Sequence, residues 1–175
     1  MDEITVAAKI GDIQMHESPW PHGTLDDFLP ADVFAELVAE LPAFQWQEQN
    51  GRTRKAKRFH RATMDLLGSE TVLNAIRQRF GFTGGKPTID LVYREQPLPP
   101  HCDRKDKVWN GQIYVAGDPK GTELYDAAGN LAHVIEWRPN RLSCWMQPPN
   151  REQHAAQASS GRYVLLWWIL GGTKL

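Results

Sequence analysis

In "PPHCDRKDK", residues 99–107, a histidine and an aspartate stand two positions apart behind a pair of prolines, in a region that otherwise reads as strand. Alternate side chains of a strand share a face, so His101 and Asp103 point together while Cys102 points away. The tripeptide alone has two readings, a solvated strand end or two ligands of a metal. A second imidazole, His154, lies 53 residues downstream at the start of the next-to-last predicted strand. Two imidazoles and one carboxylate leave open positions on a metal, as in the facial triad of non-haem Fe(II) oxygenases. His154 by itself also reads as a surface residue of "REQHAAQ". Eight residues later Arg162 opens "RYVLLWWIL", the most apolar strand of the chain, with Val164, Leu166 and Trp168 on its own face. An arginine buried there needs an anion, and a carboxylate accepting two parallel N–H bonds is its best partner. At a hairpin end it reaches water along its stem instead.

These residues need a scaffold, and the chain changes character near residue 85. A helix is predicted from Pro30 through "ADVFAELVAE", where Val33, Phe34, Leu37, Val38 and Leu41 recur at helical spacing and Pro42 ends the element. A second is predicted after Ser69, an N-cap, through "ETVLNAIRQRF", with Gly81 as its stop. The preceding "HESPWPHGTLDDFL" reads as an irregular arm because of its prolines. After "TGGKP" come short β-branched and aromatic runs: "TIDLVY", "WNGQIYVAG", "TELYDAAGNLAHVIEW", "RPNRLSCWM" and "GRYVLLWWIL". Residues 126–130 and 138–141 read as hairpin turns, and 147–153 as a longer loop. The expected fold class is α+β and mainly β, a double-sheet core braced by two N-terminal helices. One domain over 1–175 suffices, divided into a helical support region (1–85) and a main β core (86–175).

Composition excludes some classes. The longest apolar run, "YVLLWWIL", is too short to span a bilayer, and "MDEITVAAKIGD" lacks the regions of a signal peptide, so a cytoplasmic location without membrane contact is expected. Cys102 and Cys144 do not make a disulfide framework and are expected to be buried thiols. Seven tryptophans are many for this size, which suggests a rigid aromatic core or a ligand pocket. The net charge of −1 hides a segregation: residues 1–50 carry 10 acids and one base, and residues 51–100 carry 10 bases and four acids.

The order "LVYREQPLPPHCD", "GTEL", "PNRLSCWM", "HAAQASSGRYVLLWW" resembles the 2-oxoglutarate- and Fe(II)-dependent oxygenases, in particular the bacterial branch related to prolyl 4-hydroxylases. The opening "PWPHGTLDDFLPADVFAELVAELP" carries the likeness to nearly the whole chain. The resemblance implies a double-stranded β-helix, or jelly roll. It makes His101, Asp103 and His154 the Fe(II) ligands and Arg162 the partner of the distal carboxylate of 2-oxoglutarate. Tyr93 matches the tyrosine that commonly hydrogen-bonds this cosubstrate, though an ordinary core aromatic is the other reading. The implied reaction uses dioxygen, converts 2-oxoglutarate to succinate and CO2, and hydroxylates a C–H bond. Asp103 favours hydroxylation over halogenation, because the family's halogenases lack this carboxylate.

For the substrate, Trp109, Asn110 and Gln112 follow the first two ligands closely and are candidates for the pocket wall, or else an exposed strand. Residues 52–61, "RTRKAKRFHR", hold six formal positive charges, and Arg58 among them is a candidate contact for an acidic substrate. A solvated face offset by the acidic N-terminal arm explains the same segment. No aromatic residue beyond Phe59 is interleaved in the basic run, which argues against single-stranded nucleic acid as a partner. A small molecule, an amino acid or a biosynthetic intermediate, is the expected substrate. The competing functions are a non-catalytic jelly-roll protein that holds an anionic ligand, and an oxygenase acting on a protein prolyl residue.

Overall fold

The computed structural model describes residues 3–49, 53–56, 58–117, 120–147, 153–156 and 161–175. Two of the expected helices form where capping chemistry places them. Helix α2 (Ala31–Glu40) follows Pro30, and a 3₁₀ turn containing Pro42 closes it. Helix α4 (Glu70–Phe80) begins with the Ser69 hydroxyl accepting from the Val72 N–H at 3.4 Å and ends at Gly81 in the left-handed conformation, φ 67°. Two more helices escaped the sequence reading, α1 (Glu3–Gly11) and α3 (Arg61–Gly68). Helix α1 packs on α4 through Val6 and Ile10, which are fully buried. No helix among the described residues is long and apolar enough to cross a membrane.

The strands form two sheets, antiparallel throughout. The larger contains β1 (Gln14–His16), β2 (His22–Leu25), β3 (Trp46–Glu48), β4 (Thr53–Ala56), β5 (Phe82–Arg94), β7 (Lys107–Gly117), β10 (Leu142–Met146) and β12 (Arg162–Lys174), in the order β1-β2-β10-β7-β12-β5-β4-β3. The smaller contains β6 (Leu98–His101), β8 (Thr122–Tyr125), β9 (Leu131–Ile135) and β11 (His154–Ala156), in the order β6-β11-β8-β9. The segment expected to be an irregular arm is instead the hairpin β1–β2, which extends the large sheet by pairing with β10. The helical support region likewise contributes four strands to that sheet. Backbone pairing at the sheet edge outweighs the low strand propensity of a proline-flanked stretch.

Two apolar layers follow from strand alternation. On one face of the large sheet Leu91, Trp109, Ile113, Leu165, Trp167 and Ile169 pack with residues of the helices, including Leu37, Leu67 and Ile76. On the other face Val92, Tyr114, Trp145 and Val164 meet Leu124 and Ile135 of the small sheet. Strand β12 is buried on both faces, which is why its sequence is a nearly continuous apolar run. Cys144 is buried and Cys102 only half-buried, and both are free thiols, so the expectation of two buried cysteines holds for Cys144 alone.

The turn at 126–130 is the expected hairpin, closed by the Asp126 carboxylate accepting from the Ala128 and Asn130 N–H groups. The turn at 138–141 is tight but crosses from the small sheet to the large one. Within it Asn140, with φ 59° and almost fully buried, exchanges two side-chain hydrogen bonds of 2.9 Å with the Leu29 backbone. Asn140→Ala is therefore expected to cost about 2–4 kcal/mol, combining left-handed backbone strain with orphaned Leu29 groups. Asn140→Gly should recover the backbone share of that loss, which urea unfolding of the two variants will separate. The loop expected over 147–153 lies mostly outside the described residues.

Candidate metal centre and pocket

His101 is the last residue of β6 and His154 the first of β11, and the antiparallel register sets them opposite each other. Their rings lie 4.3 Å apart between centroids. Asp103 follows two residues after β6 ends, and the His154 Nε2 stands 3.8 Å from its Oδ2. One ligand atom from each of the three side chains lies within 4.8 Å of the other two, a grouping suited to close around a metal ion.

The surroundings suit that role. The His101 Nδ1 is 2.9 Å from the Pro99 carbonyl, so it carries the proton and leaves the Nε2 lone pair available. Thus the prolines ahead of the motif set an imidazole tautomer as well as a chain direction. Burial, opposed by the Asp103 carboxylate, lowers His154 to about 3, so its imidazole is neutral at physiological pH. Burial alone would raise Asp103, but the Lys107 ammonium that donates to it helps to hold its carboxyl below the ordinary value. Lys107 Nζ donates to Asp103 Oδ1 at 2.6 Å and sits 4.2 Å from the centre of the Trp168 ring. Trp145 Nε1 donates to Oδ2 at 3.4 Å. Two imidazoles and a carboxylate, with His101 and Asp103 oriented by hydrogen bonds from outside the set, fit a divalent ion such as Fe(II). Lys107→Ala is expected to weaken Co(II) or Fe(II) binding by about 10–100-fold while leaving the circular dichroism unchanged, as metal titration will show.

The three residues line a pocket between the two sheets. Leu98, Thr122, Ala155 and Ala156 come from the small sheet, and Arg94, Asn110, Gln112, Trp145, Leu166 and Trp168 from the large one. A jelly roll with a ligand-lined pocket between its sheets belongs to a limited group of architectures. No protein-family model and no curated protein matches the sequence. Solved structures do match across the whole chain. A prolyl-4-hydroxylase from Pseudomonas putida superposes with a TM-score of 0.68 over 95% of this chain and 98% of its own, at 16% identity. An oxidoreductase of the 2OG-Fe(II) oxygenase family from Burkholderia pseudomallei gives 0.64 over 99% and 93%, at 12% identity. HygX from Streptomyces hygroscopicus, with nickel, 2-oxoglutarate and hygromycin B bound, gives 0.61 over 85% and 82%, at 8% identity.

The fold is that of the 2-oxoglutarate- and Fe(II)-dependent oxygenases.

On this oxygenase fold the remaining candidate residues divide by strand parity. Asn110 and Gln112 line the pocket as expected, whereas Trp109 points to the opposite face of β7 and packs in the helix-side core against Phe80 and Trp167. Tyr93 is also on the far side of its strand: its hydroxyl donates to Glu95 at 2.8 Å and its ring packs on Tyr163. The pocket position on β5 belongs to Arg94. Adjacent strand residues face opposite ways, so a choice of 93 over 94 selects the wrong surface. Arg162 is buried, 1% exposed, with Nη1 donating to the Lys120 and Gly121 carbonyls at 3.1 and 3.4 Å. Gly117, at φ 107°, lets β7 pass beside this arginine: a Cβ there would fall 2.2 Å from the Gly161 oxygen.

Arg58 is exposed and lines a separate groove with Phe59, Arg61 and Met64, so it is not a wall of the pocket. Arg52 and Lys57 lie outside the described residues. Of the other basic residues, Lys55 pairs with Asp90 and Arg61 with Asp65. Their counter-ions come from β5 and α3, not from the acidic N-terminal arm. Arg94, Lys107 and Trp145 are site residues that the sequence reading missed. The alternation through "IDLVYR" and "RLSCWM" and the four-residue step from Asp103 to Lys107 were the signals that mark them.

Proposed function

We propose that this chain, as one domain, is a 2-oxoglutarate- and Fe(II)-dependent dioxygenase that hydroxylates an unactivated C–H bond of a small molecule. The observation that carries the proposal is the meeting of His101, Asp103 and His154 within 4.8 Å at a pocket of the oxygenase fold. Fe(II) held there would supply activation of dioxygen coupled to decarboxylation of 2-oxoglutarate, with release of succinate and CO2. Three protein ligands leave three positions, enough for a bidentate 2-oxo acid and dioxygen.

The chain's own residues do the positioning. Arg162, sealed from water, offers guanidinium N–H groups to the distal carboxylate of the cosubstrate. Trp145, Leu166 and Trp168 wall the pocket with apolar surface that keeps water from the reacting groups. Asn110, buried with its Nδ2 lacking a hydrogen-bond partner among the described residues, is suited to grip an oxygen of the substrate. HygX, whose structure holds hygromycin B, supports a small molecule as the substrate class. A reducing cytoplasm suits the two free thiols.

Addition of 2-oxoglutarate to the anaerobic Fe(II) protein is expected to give a metal-to-ligand charge-transfer band in the visible. A folded protein without that band would instead be a non-catalytic jelly roll. Succinate release against amino acids, biosynthetic intermediates and a proline-containing peptide then identifies the substrate class, with mass detection of an added oxygen. Turnover with the peptide alone would replace the small molecule with a prolyl substrate.

A further inference from the structure

We propose that Trp145, Trp20 and Tyr125 form a relay that carries oxidising equivalents from the metal centre to the protein surface in turnovers that find no substrate. The relay rests on the oxygenase function proposed above and adds a protective route out of the site.

The path starts at the metal-binding residues. The Trp145 ring lies 4.9 Å from that of His154, and its Nε1 donates to Asp103 Oδ2 at 3.4 Å. The Trp20 ring meets Trp145 edge-on at 5.7 Å. Trp20 Nε1 in turn donates at 3.1 Å to the backbone carbonyl of Tyr125, the last residue of β8. Both indoles are almost fully buried, whereas Tyr125 is half-buried, so the path ends where small solutes reach it. Leu124 belongs to the apolar layer between the sheets, so by alternation Tyr125 projects from the outer face of the small sheet. There its hydroxyl donates to Glu123 Oε2 at 2.8 Å, and a carboxylate so placed takes the phenolic proton as an electron leaves the ring.

Close packing does not by itself require these bonds. Trp109, Trp137 and Trp167 are packed with their Nε1 atoms buried and without a hydrogen-bond partner among the described residues. Trp145 and Trp20 instead point theirs at oxygen acceptors, which stabilise the positive charge of an oxidised indole. The other tryptophan of the pocket, Trp168, has the opposite setting, with the Lys107 ammonium 4.2 Å from its ring centre. A cation over the ring opposes the loss of an electron from it. Local charge therefore directs oxidation into Trp145 and away from Trp168.

Without a substrate, dioxygen and 2-oxoglutarate take up two electrons and two protons and give succinate, CO2 and water. Each electron passes from Tyr125 through Trp20 and Trp145 to the metal centre, while the Tyr125 hydroxyl proton moves to Glu123. The protons consumed at the centre come from solvent. A one-electron donor of the ascorbate class then reduces the tyrosyl radical, which recovers its proton from Glu123, and oxidation of the donor returns protons to solvent.

The test compares Fe(II)-loaded wild type, Trp20→Phe and Tyr125→Phe, each given either dioxygen with 2-oxoglutarate or hydrogen peroxide, and no substrate. Succinate release counts turnovers, electron paramagnetic resonance of samples frozen without ascorbate reads radicals, and peptide mass mapping reads added oxygen. Wild type is expected to show a tyrosyl radical and, once ascorbate is supplied, to keep Trp145 free of added oxygen. Tyr125→Phe should lose the tyrosyl signal. Trp20→Phe should lose it as well and gain oxygen on Trp145 severalfold faster per succinate released. Both variants should keep the charge-transfer band, since neither residue belongs to the metal-binding set. No tyrosyl radical in wild type, a tyrosyl signal that survives Tyr125→Phe, or equal oxygen on Trp145 and Trp168 in all three proteins overturns the relay. A missing charge-transfer band with the Tyr125 radical still formed from peroxide would sink the oxygenase function and leave the relay standing, and failure to bind iron removes both. If Trp20→Phe does not fold, Tyr125→Phe, altered outside the core, decides.

Discussion

In the His154→Ala protein the Fe(II)–2-oxoglutarate charge-transfer band is expected to disappear and succinate release to fall to that of metal-free enzyme. Loss of an outer partner of a metal site typically weakens binding or activity about 10–100-fold, and loss of a ligand from a set of three must exceed that range. No other described histidine belongs to the three-residue cluster: His101 already contributes, and His133 packs against His22 with tilted rings. The fold should survive, since removal of a neutral imidazole from the first residue of a three-residue strand leaves the β11 backbone pairings intact. Circular dichroism and the urea midpoint check this. Arg162→Ala provides the contrast: iron binding is retained and 2-oxoglutarate binding is weakened. Normal turnover in His154→Ala would mean that the distal ligand lies elsewhere. His133→Ala, a histidine outside the cluster, should leave the band unchanged.

The second large effect concerns stability. Trp167→Ala is expected to cost about 3–5 kcal/mol, because the indole is fully buried and a cavity remains where it stood. Its ring meets Trp109 edge-on at 5.0 Å and Phe28 at 6.1 Å, joining the large sheet to the segment before α2. Against a total stability of about 5–15 kcal/mol that loss is severe, and the melting temperature should fall by on the order of 10 °C. Urea unfolding should show a lower midpoint at unchanged slope. Trp168→Ala, one residue on, should behave differently. That ring is half-buried on the pocket face beneath Lys107, so its loss should disturb metal and substrate binding more than folding. The pair tests the assignment of the two faces of β12 directly.

The same alternation explains which expectations failed. His101 and Asp103 were marked by their two-residue spacing, a period the chain carries locally, whereas His154 and Arg162 entered through the resemblance to the oxygenases; of the residues named for the pocket wall, Asn110 and Gln112 line the pocket. Trp109 and Tyr93 were errors of one position, since aromatic character marks a buried residue without saying which side of a two-faced sheet buries it. Helix α2 and helix α4 were legible from periodicity and caps, whereas α3 has weak punctuation: His60 at its N-cap makes no side-chain capping bond to the helix backbone. The hairpin β1–β2 depends on an edge offered by β10, more than a hundred residues away, and no local signal announces it.

By itself, then, the amino-acid sequence determined the all-antiparallel β character after residue 85, the capped helices and the shared face of His101 and Asp103. Each of these follows from interactions between residues close along the chain or from the chemistry of single side chains. Only the tertiary structure decided that His154 sits opposite His101, that Lys107 holds the Asp103 carboxylate, and that Arg94 faces Arg162. Strand pairing sets these relations between residues distant in sequence, and side chains buried on both faces of the central sheet lock the register.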